Sequence, residues 1–151
     1  MDKRKQVGYD PKGIGERSEA QILARMLKDG VVVLSPFGDN QRYDLVVDEG
    51  GEFIRVQCKT GCVSEDGGSF VFPICSNNWN TKTRRGYKGE VEVFAVYLRE
   101  EDDVFIVNAS NIQSSRTCSI RLSETKNGQK RGVRMAEYHR YKSGMSLLDY
   151  P

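Results

Sequence analysis

A single histidine, His139, stands among 151 residues, and the four cysteines, Cys58, Cys62, Cys75 and Cys118, contain no C-x-x-C pair. Cys58 and Cys62 are spaced C-x-x-x-C, the other two lie far apart, and the histidine has no partner. The usual zinc ligand sets are therefore not assembled. No apolar run nears the roughly 20 residues that a bilayer-spanning helix needs. The basic start, Met1-Asp2-Lys3-Arg4-Lys5, is not followed by the apolar stretch of a secretory signal. The expectation is a cytoplasmic protein whose thiols are reduced and packed as small apolar groups. Charge of one sign is also lacking: 23 Lys and Arg face 21 Asp and Glu, a net +2 that does not by itself announce a nucleic-acid partner. Internal repeats, low-complexity tracts and interdomain linkers are missing as well.

What is present is the composition of an ordinary globular domain, 38% hydrophobic and 29% charged, in a chain long enough to bury a core without staples. Residues 1–12 read as a polar N-terminal arm ending at Asp10-Pro11, and residues 13–151 as one domain. Ile22, Leu23, Met26 and Leu27 give a helical period over about 14–28, stopped at Gly30. Strands are expected at 31–34, 42–48, 52–60, 69–74, 91–98 and 104–107, with a short edge strand at 119–122. Gly50-Gly51 is the hairpin turn between the second and third. Residues 77–89 are polar, basic and glycine-containing, and are expected to be a loop. A last short helix is expected around 133–141. The order indicates an α/β domain with a mixed central sheet.

The charge that exists is clustered. From Arg116 to Lys142 there are eight Lys or Arg against two Glu, and Lys82, Arg84, Arg85 and Lys88 precede Glu90. Such clusters can neutralise phosphates. A solvated surface with local bias explains them equally well.

The segment that carries chemistry is Arg42-Tyr43-Asp44-Leu45-Val46-Val47-Asp48, then Gly50-Gly51, then Phe53-Ile54-Arg55-Val56-Gln57-Cys58-Lys59-Thr60. Strand alternation puts Gln57 and Lys59 on one face, roughly 7 Å apart. The hairpin returns Asp44 to the end of the third strand, so carboxylate, amide and ammonium converge. That is costly unless it does something. A hard divalent cation such as Mg²⁺ takes oxygen ligands and keeps several waters. Asp44, the Gln57 amide oxygen and the Cys58 main-chain carbonyl can supply them, with Lys59 beside the attacking water or the developing charge. A second acid comes from the first helix, where Glu19 shares the stripe of Ile22, Leu23 and Met26 and so faces the sheet. Glu16 competes, as a first-turn acid favoured by the helix dipole. Each residue alone has a bland alternative: a cap for Asp44, a solvent-facing row for Gln57 and Lys59, an ion pair for Glu19.

In the order Glu19, Asp44, hairpin, Gln57-Cys58-Lys59, the chain resembles the PD-(D/E)XK nuclease superfamily, whose signature is a helix Glu, a strand-start Asp and Glu/Asp-x-Lys. Gln57 stands where an acid is more usual, and this Gln-x-Lys form is similar to the group I intron-associated, homing-endonuclease branch. Gly38-Asp39-Asn40-Gln41, Arg85-Gly86-Tyr87, Glu92-Val93-Phe94-Ala95-Val96-Tyr97 and Thr125-Lys126-Asn127-Gly128-Gln129-Lys130 look like that branch too. The resemblance implies a restriction-endonuclease-like sheet flanked by helices. It further implies Mg²⁺-dependent cleavage of double-stranded DNA (Mn²⁺ as substitute) and a homo-oligomer, dimer or dimer of dimers. Glu19, Asp44, Gln57 and Lys59 are then catalytic, and Glu19, Asp44, Gln57 and Cys58 hold the metal. Arg84, Arg85, Tyr87 and Lys88 become DNA contacts, extended by Lys126, Lys130, Arg131 and Arg134. Trp79 is expected as a buried anchor rather than a base-stacking residue. The competing readings are a catalytically silent nucleic-acid-binding module, a junction-resolving or repair nuclease of the same fold, and a protein-interaction domain.

Overall fold

The computed structural model describes residues 9–151. It is organised around a five-stranded mixed sheet with a different covering on each face. Helix α1 (Pro11–Lys28) begins earlier than its apolar period suggests, because Asp10 caps it by accepting the Gly13 N–H at 3.1 Å and Pro11 sits in the first turn. The arm foreseen for 1–12 is thus helix from Pro11, and residues 1–8 lie outside the described region. Gly30, at φ +75°, ends the helical segment.

The sheet order is β1 (Val32–Leu34), β2 (Leu45–Glu49), β3 (Glu52–Thr60), β8 (Val93–Leu98) and β9 (Asp103–Asn108). Its one parallel pair is β3 with β8. Gly50 and Gly51, both at positive φ, turn β2 into β3, and the Asp48 carboxylate accepts the Gly51 N–H at 2.6 Å. On one face α1 lays Ile22 and Met26 on Leu45, Val47, Ile54, Val56, Val93, Ala95, Val104 and Ile106, with Tyr141, Leu147 and Tyr150 closing the cluster. On the other, Phe94, Val96, Leu98, Phe105 and Val107 are covered by a small sheet of β4 (Cys62–Val63), β5 (Ser69–Pro73) and β10 (Thr117–Arg121). The second flank is therefore β-structure where the resemblance leads one to expect helix. β8 is buried on both faces, which accounts for its nearly unbroken apolar sequence.

The chain changes sheets at Gly61, whose N–H bonds Tyr97 O at 2.9 Å. A Cβ there would come within 2.9 Å of Phe70 and 3.1 Å of Leu98, so only glycine allows so close a crossing.

Two expectations are corrected. Residues 77–89 are not a loop: β6 (Cys75–Asn78) and β7 (Thr83–Gly86) form a separate antiparallel ribbon. Neither strand packs an apolar face on the core, so no period-two pattern marks them. The terminal helix at 133–141 is a single 3₁₀ turn, Ala136–Tyr138. The chain beyond it pairs with β9 instead, Ile106 N–H to His139 O at 2.7 Å and Tyr141 N–H to Val104 O at 2.8 Å, and so covers that edge. The four thiols are free, Cys118 buried but Cys62 exposed. No helix among the described residues is long and apolar enough to cross a membrane.

His139 is buried and donates from Nδ1 to Ile106 O at 2.8 Å. Burial holds its pKa below the ordinary 6.5, the Ile106 bond opposing. The fold prefers the neutral ring, so this stabilisation is complete above the unfolded-state value and is lost as pH falls through the lower folded one. The melting temperature of the protein is expected to drop between about pH 7 and pH 5, and His139→Asn, whose amide can make the same bond, is expected to flatten that drop. Equal slopes in circular-dichroism melts would refute it.

Candidate active site

β3 continues past its antiparallel neighbour. Leu45 pairs with Val56, so β2 begins there and leaves Gln57, Cys58, Lys59 and Thr60 without a strand on that side. The Asp44 side chain fills the gap: Oδ2 accepts the Cys58 N–H at 2.9 Å, while its own N–H bonds Val56 O at 2.9 Å. Because N–H and C=O of one strand residue share an edge, the Cys58 carbonyl also faces this gap.

Glu19 reaches the same place from α1. Ser18 beside it is buried, and its hydroxyl meets that of Thr60 at 2.6 Å, tying the helix to the end of β3. Burial raises the Glu19 carboxyl, and the charge of Asp44 raises it further, with Glu16 adding a smaller push. Asp44 is raised as well, by burial, although the Cys58 N–H and the Lys59 ammonium pull it down. Two acids are thus held together in a partly desolvated site, where a cation relieves both. Glu16 itself is exposed. Cys58 points its thiol to the α1 side, where burial first, then Asp44 and Glu19, push it well above its ordinary value. A thiolate there is strongly disfavoured.

Lys59 lies on the opposite face of β3, at the margin of the second core. Its Nζ donates to Tyr87 Oη at 3.2 Å and lies 4.7 Å from that ring's centroid. Tyr87 is only 7% exposed and meets Phe94 edge-on at 5.7 Å. It is therefore not a surface contact, as its sequence neighbours suggested, but the support of Lys59. Arg42 stacks 4.2 Å from the same ring and donates to Glu90 at 2.6 Å, Ser76 Oγ at 2.7 Å and Gly86 O at 2.9 Å.

Among the described residues no three of His, Cys, Asp and Glu gather. The acids available are Glu19 and Asp44, and further ligands can come only from amide and carbonyl oxygens. This all-oxygen set fits a hard divalent ion that keeps its waters.

A helix acid, a strand-start acid and an x-x-Lys strand around one gap form the geometry of a known nuclease group, and the profile of the PD-(D/E)XK endonuclease family matches residues 9–142. The chain belongs to the PD-(D/E)XK endonuclease family. The solved structure of a bacterial homing endonuclease, I-Ssp6803I, aligns at a TM-score of 0.69 and 26% identity, over 87% of this chain and 89% of that one. No curated protein sequence matches the chain.

Within this PD-(D/E)XK nuclease the foreseen cations are divided. Arg84 and Lys88 are exposed, as are Lys126, Lys130 and Arg131 on the loop after β10. Arg85 is exposed but paired with Glu90, and Arg134 is half-buried and donates to Asn111 O at 2.8 Å. Trp79 is 85% exposed at the tip of the β6–β7 ribbon, not a buried anchor. Arg116, the first cation of the 116–142 cluster, lines a cleft of about 820 Å³ together with Arg84 and Lys88. Ser18, Thr60 and Arg42 carry no local signal that would have singled them out.

If the Ser18–Thr60 bond fixes α1 against the site, Ser18→Ala leaves the partly buried Thr60 hydroxyl without its partner and costs about 1 kcal/mol. The double variant Ser18→Ala/Thr60→Val should cost less than the two singles together. Urea denaturation that finds the singles additive within about 0.3–0.5 kcal/mol would disprove the coupling.

Proposed function

We propose that this nuclease is a Mg²⁺-dependent DNA endonuclease in which Glu19 and Asp44 hold the metal, aided by the Gln57 amide oxygen and the Cys58 carbonyl. The observation that carries this is the Asp44 carboxylate in the gap beside β3, with one oxygen on Cys58 N–H, raised by burial and adjoining both Glu19 and Lys59. Nucleases of this family generally use divalent ions. When bound, the ion supplies charge that polarises the scissile phosphate and acidifies a water.

The chain's own residues do the rest. Asp44 is held by one oxygen, leaving the other for the site. Lys59, fixed by Tyr87, presents an ammonium where negative charge develops. Gln57 adds a neutral oxygen where an acid is usual, which lowers the charge of the site by one. Double-stranded DNA as substrate agrees with the exposed cations Lys88, Lys126, Lys130 and Arg131. A homo-oligomer agrees with the exposed apolar Val32 (58%) and Phe53 (61%), which flank Asp48 in one row across β1–β2–β3.

A second reading, a silent nucleic-acid-binding module, is favoured by Gln57 alone. Nicking of plasmid DNA with Mg²⁺ or Mn²⁺ separates the two. Asp44→Ala and Lys59→Ala are expected to lower the rate by roughly two to three orders of magnitude with circular-dichroism spectra unchanged, and excess chelator to stop it. Full activity in either variant or in chelator would defeat the enzyme reading. Gel-shift binding without cutting across several metals would establish the silent module.

A further inference from the structure

We propose that the β6–β7 ribbon enters the major groove of duplex DNA beside the cleaved bond and reads base edges there. The facing pair Asn77 and Arg84 are its specificity-determining contacts, and Trp79 lies at its tip against the groove floor. This rests on the DNA-nuclease reading above.

The ribbon pairs Cys75 with Gly86, Ser76 with Arg85, Asn77 with Arg84 and Asn78 with Thr83. Alternation puts Ser76, Asn78, Thr83 and Arg85 on one face. Each residue of that face has an intramolecular partner. Ser76 accepts from Arg42, Arg85 pairs with Glu90, and Asn78 Oδ1 accepts the Asn80 and Thr81 N–H groups at 3.0 and 3.3 Å. Thr83 shares its hydroxyl with Thr81 at 2.6 Å. The other face carries Asn77 and Arg84, exposed and with no side-chain partner among the described residues. Those two groups match base edges: a side-chain amide pairs with adenine N6 and N7, and a guanidinium fork with guanine O6 and N7.

The electrostatics agree. From residue 75 to 89 the chain holds Lys82, Arg84, Arg85 and Lys88 and no acid. Arg116 and Ser114 line the adjoining cleft together with Arg84, and both suit a phosphate strand that sets the register. A two-stranded ribbon fits a major groove about 12 Å wide. An uncovered indole at the tip of a polar ribbon is an apolar surface in want of a partner, and the groove floor, with its thymine methyls, provides one.

The ribbon is fixed to the site and therefore reads next to it. Arg42, two residues before Asp44, bonds Ser76 and Gly86 at its base, and Tyr87, the residue after β7, supports Lys59. From Cys75 to Asn78 the strand spans about 10 Å, or roughly three base-pair steps.

The test is a binding selection from randomised duplex DNA with the full-length protein in Ca²⁺. The wild type should enrich a motif. Asn77→Ala and Arg84→Ala should each lose preference at one or two neighbouring base pairs, a drop of about 5- to 150-fold in discrimination. Lys126→Ala should weaken all sequences alike. Trp79 is the sole tryptophan, so its emission should shift when the selected duplex saturates the protein. The same motif in both variants, no motif in the wild type, stronger binding to single strands than to duplex, or unchanged emission at saturation overturns the proposal. If the protein still cuts duplex DNA in those cases, the ribbon assignment alone falls. If it neither binds nor cuts duplex DNA, the nuclease reading falls with it.

Discussion

A strand that outruns its neighbour leaves main-chain donors and acceptors facing nothing, and β3 does this from Gln57 to Thr60, on the side where β2 has stopped. Backbone groups left bare in a partly buried place carry a penalty of the order of a lost hydrogen bond. Asp44 answers it with a carboxylate oxygen on the Cys58 N–H, and at the end of the strand the Ser18 hydroxyl meets the Thr60 side-chain hydroxyl, tying α1 to β3. Both contacts lead to one spot. The first places an acid between the two faces of the sheet, and the second sets Glu19 beside it.

The electrostatics follow from that crowding. Each acid is lifted by desolvation, Glu19 also by Asp44, and the nearest compensating charge is Lys59, which is itself braced on Tyr87. Two acids whose protonation is favoured by burial gain from a nearby cation, and Gln57 stands on the strand of Lys59 where an acid would have added a third charge.

Much of this was legible in the residues. β3 occupies 52–60 as its alternation indicates, and Gly50-Gly51 turns the chain as that pair should. Asp44 against Cys58 and Lys59 follows from hairpin register alone. Where the pattern was silent, tertiary partners had decided. Residues 139–141 gave up a local helix to pair with β9, and β6 and β7 form a ribbon although their sequence is polar throughout. The general habit of tryptophan points Trp79 inward, but that habit holds only where a core is near enough to receive it. Tyr87 went the other way: basic neighbours suggested surface, but the Lys59 ammonium and the Arg42 guanidinium claim its hydroxyl and its ring.

The pairing of β3 with β8 is parallel, so a long excursion must separate them, here everything from Gly61 to Glu92. That excursion holds the strands β4 and β5 as well as the whole ribbon, yet its two ends are pinned by register to β3 and β8. Loop-closure entropy grows only slowly with length. The excursion can therefore be lengthened or rewritten at little thermodynamic cost, with the β3–β8 pairing left in place. An architecture of this kind lets the inserted segment diverge from one descendant to the next while the central sheet is inherited intact.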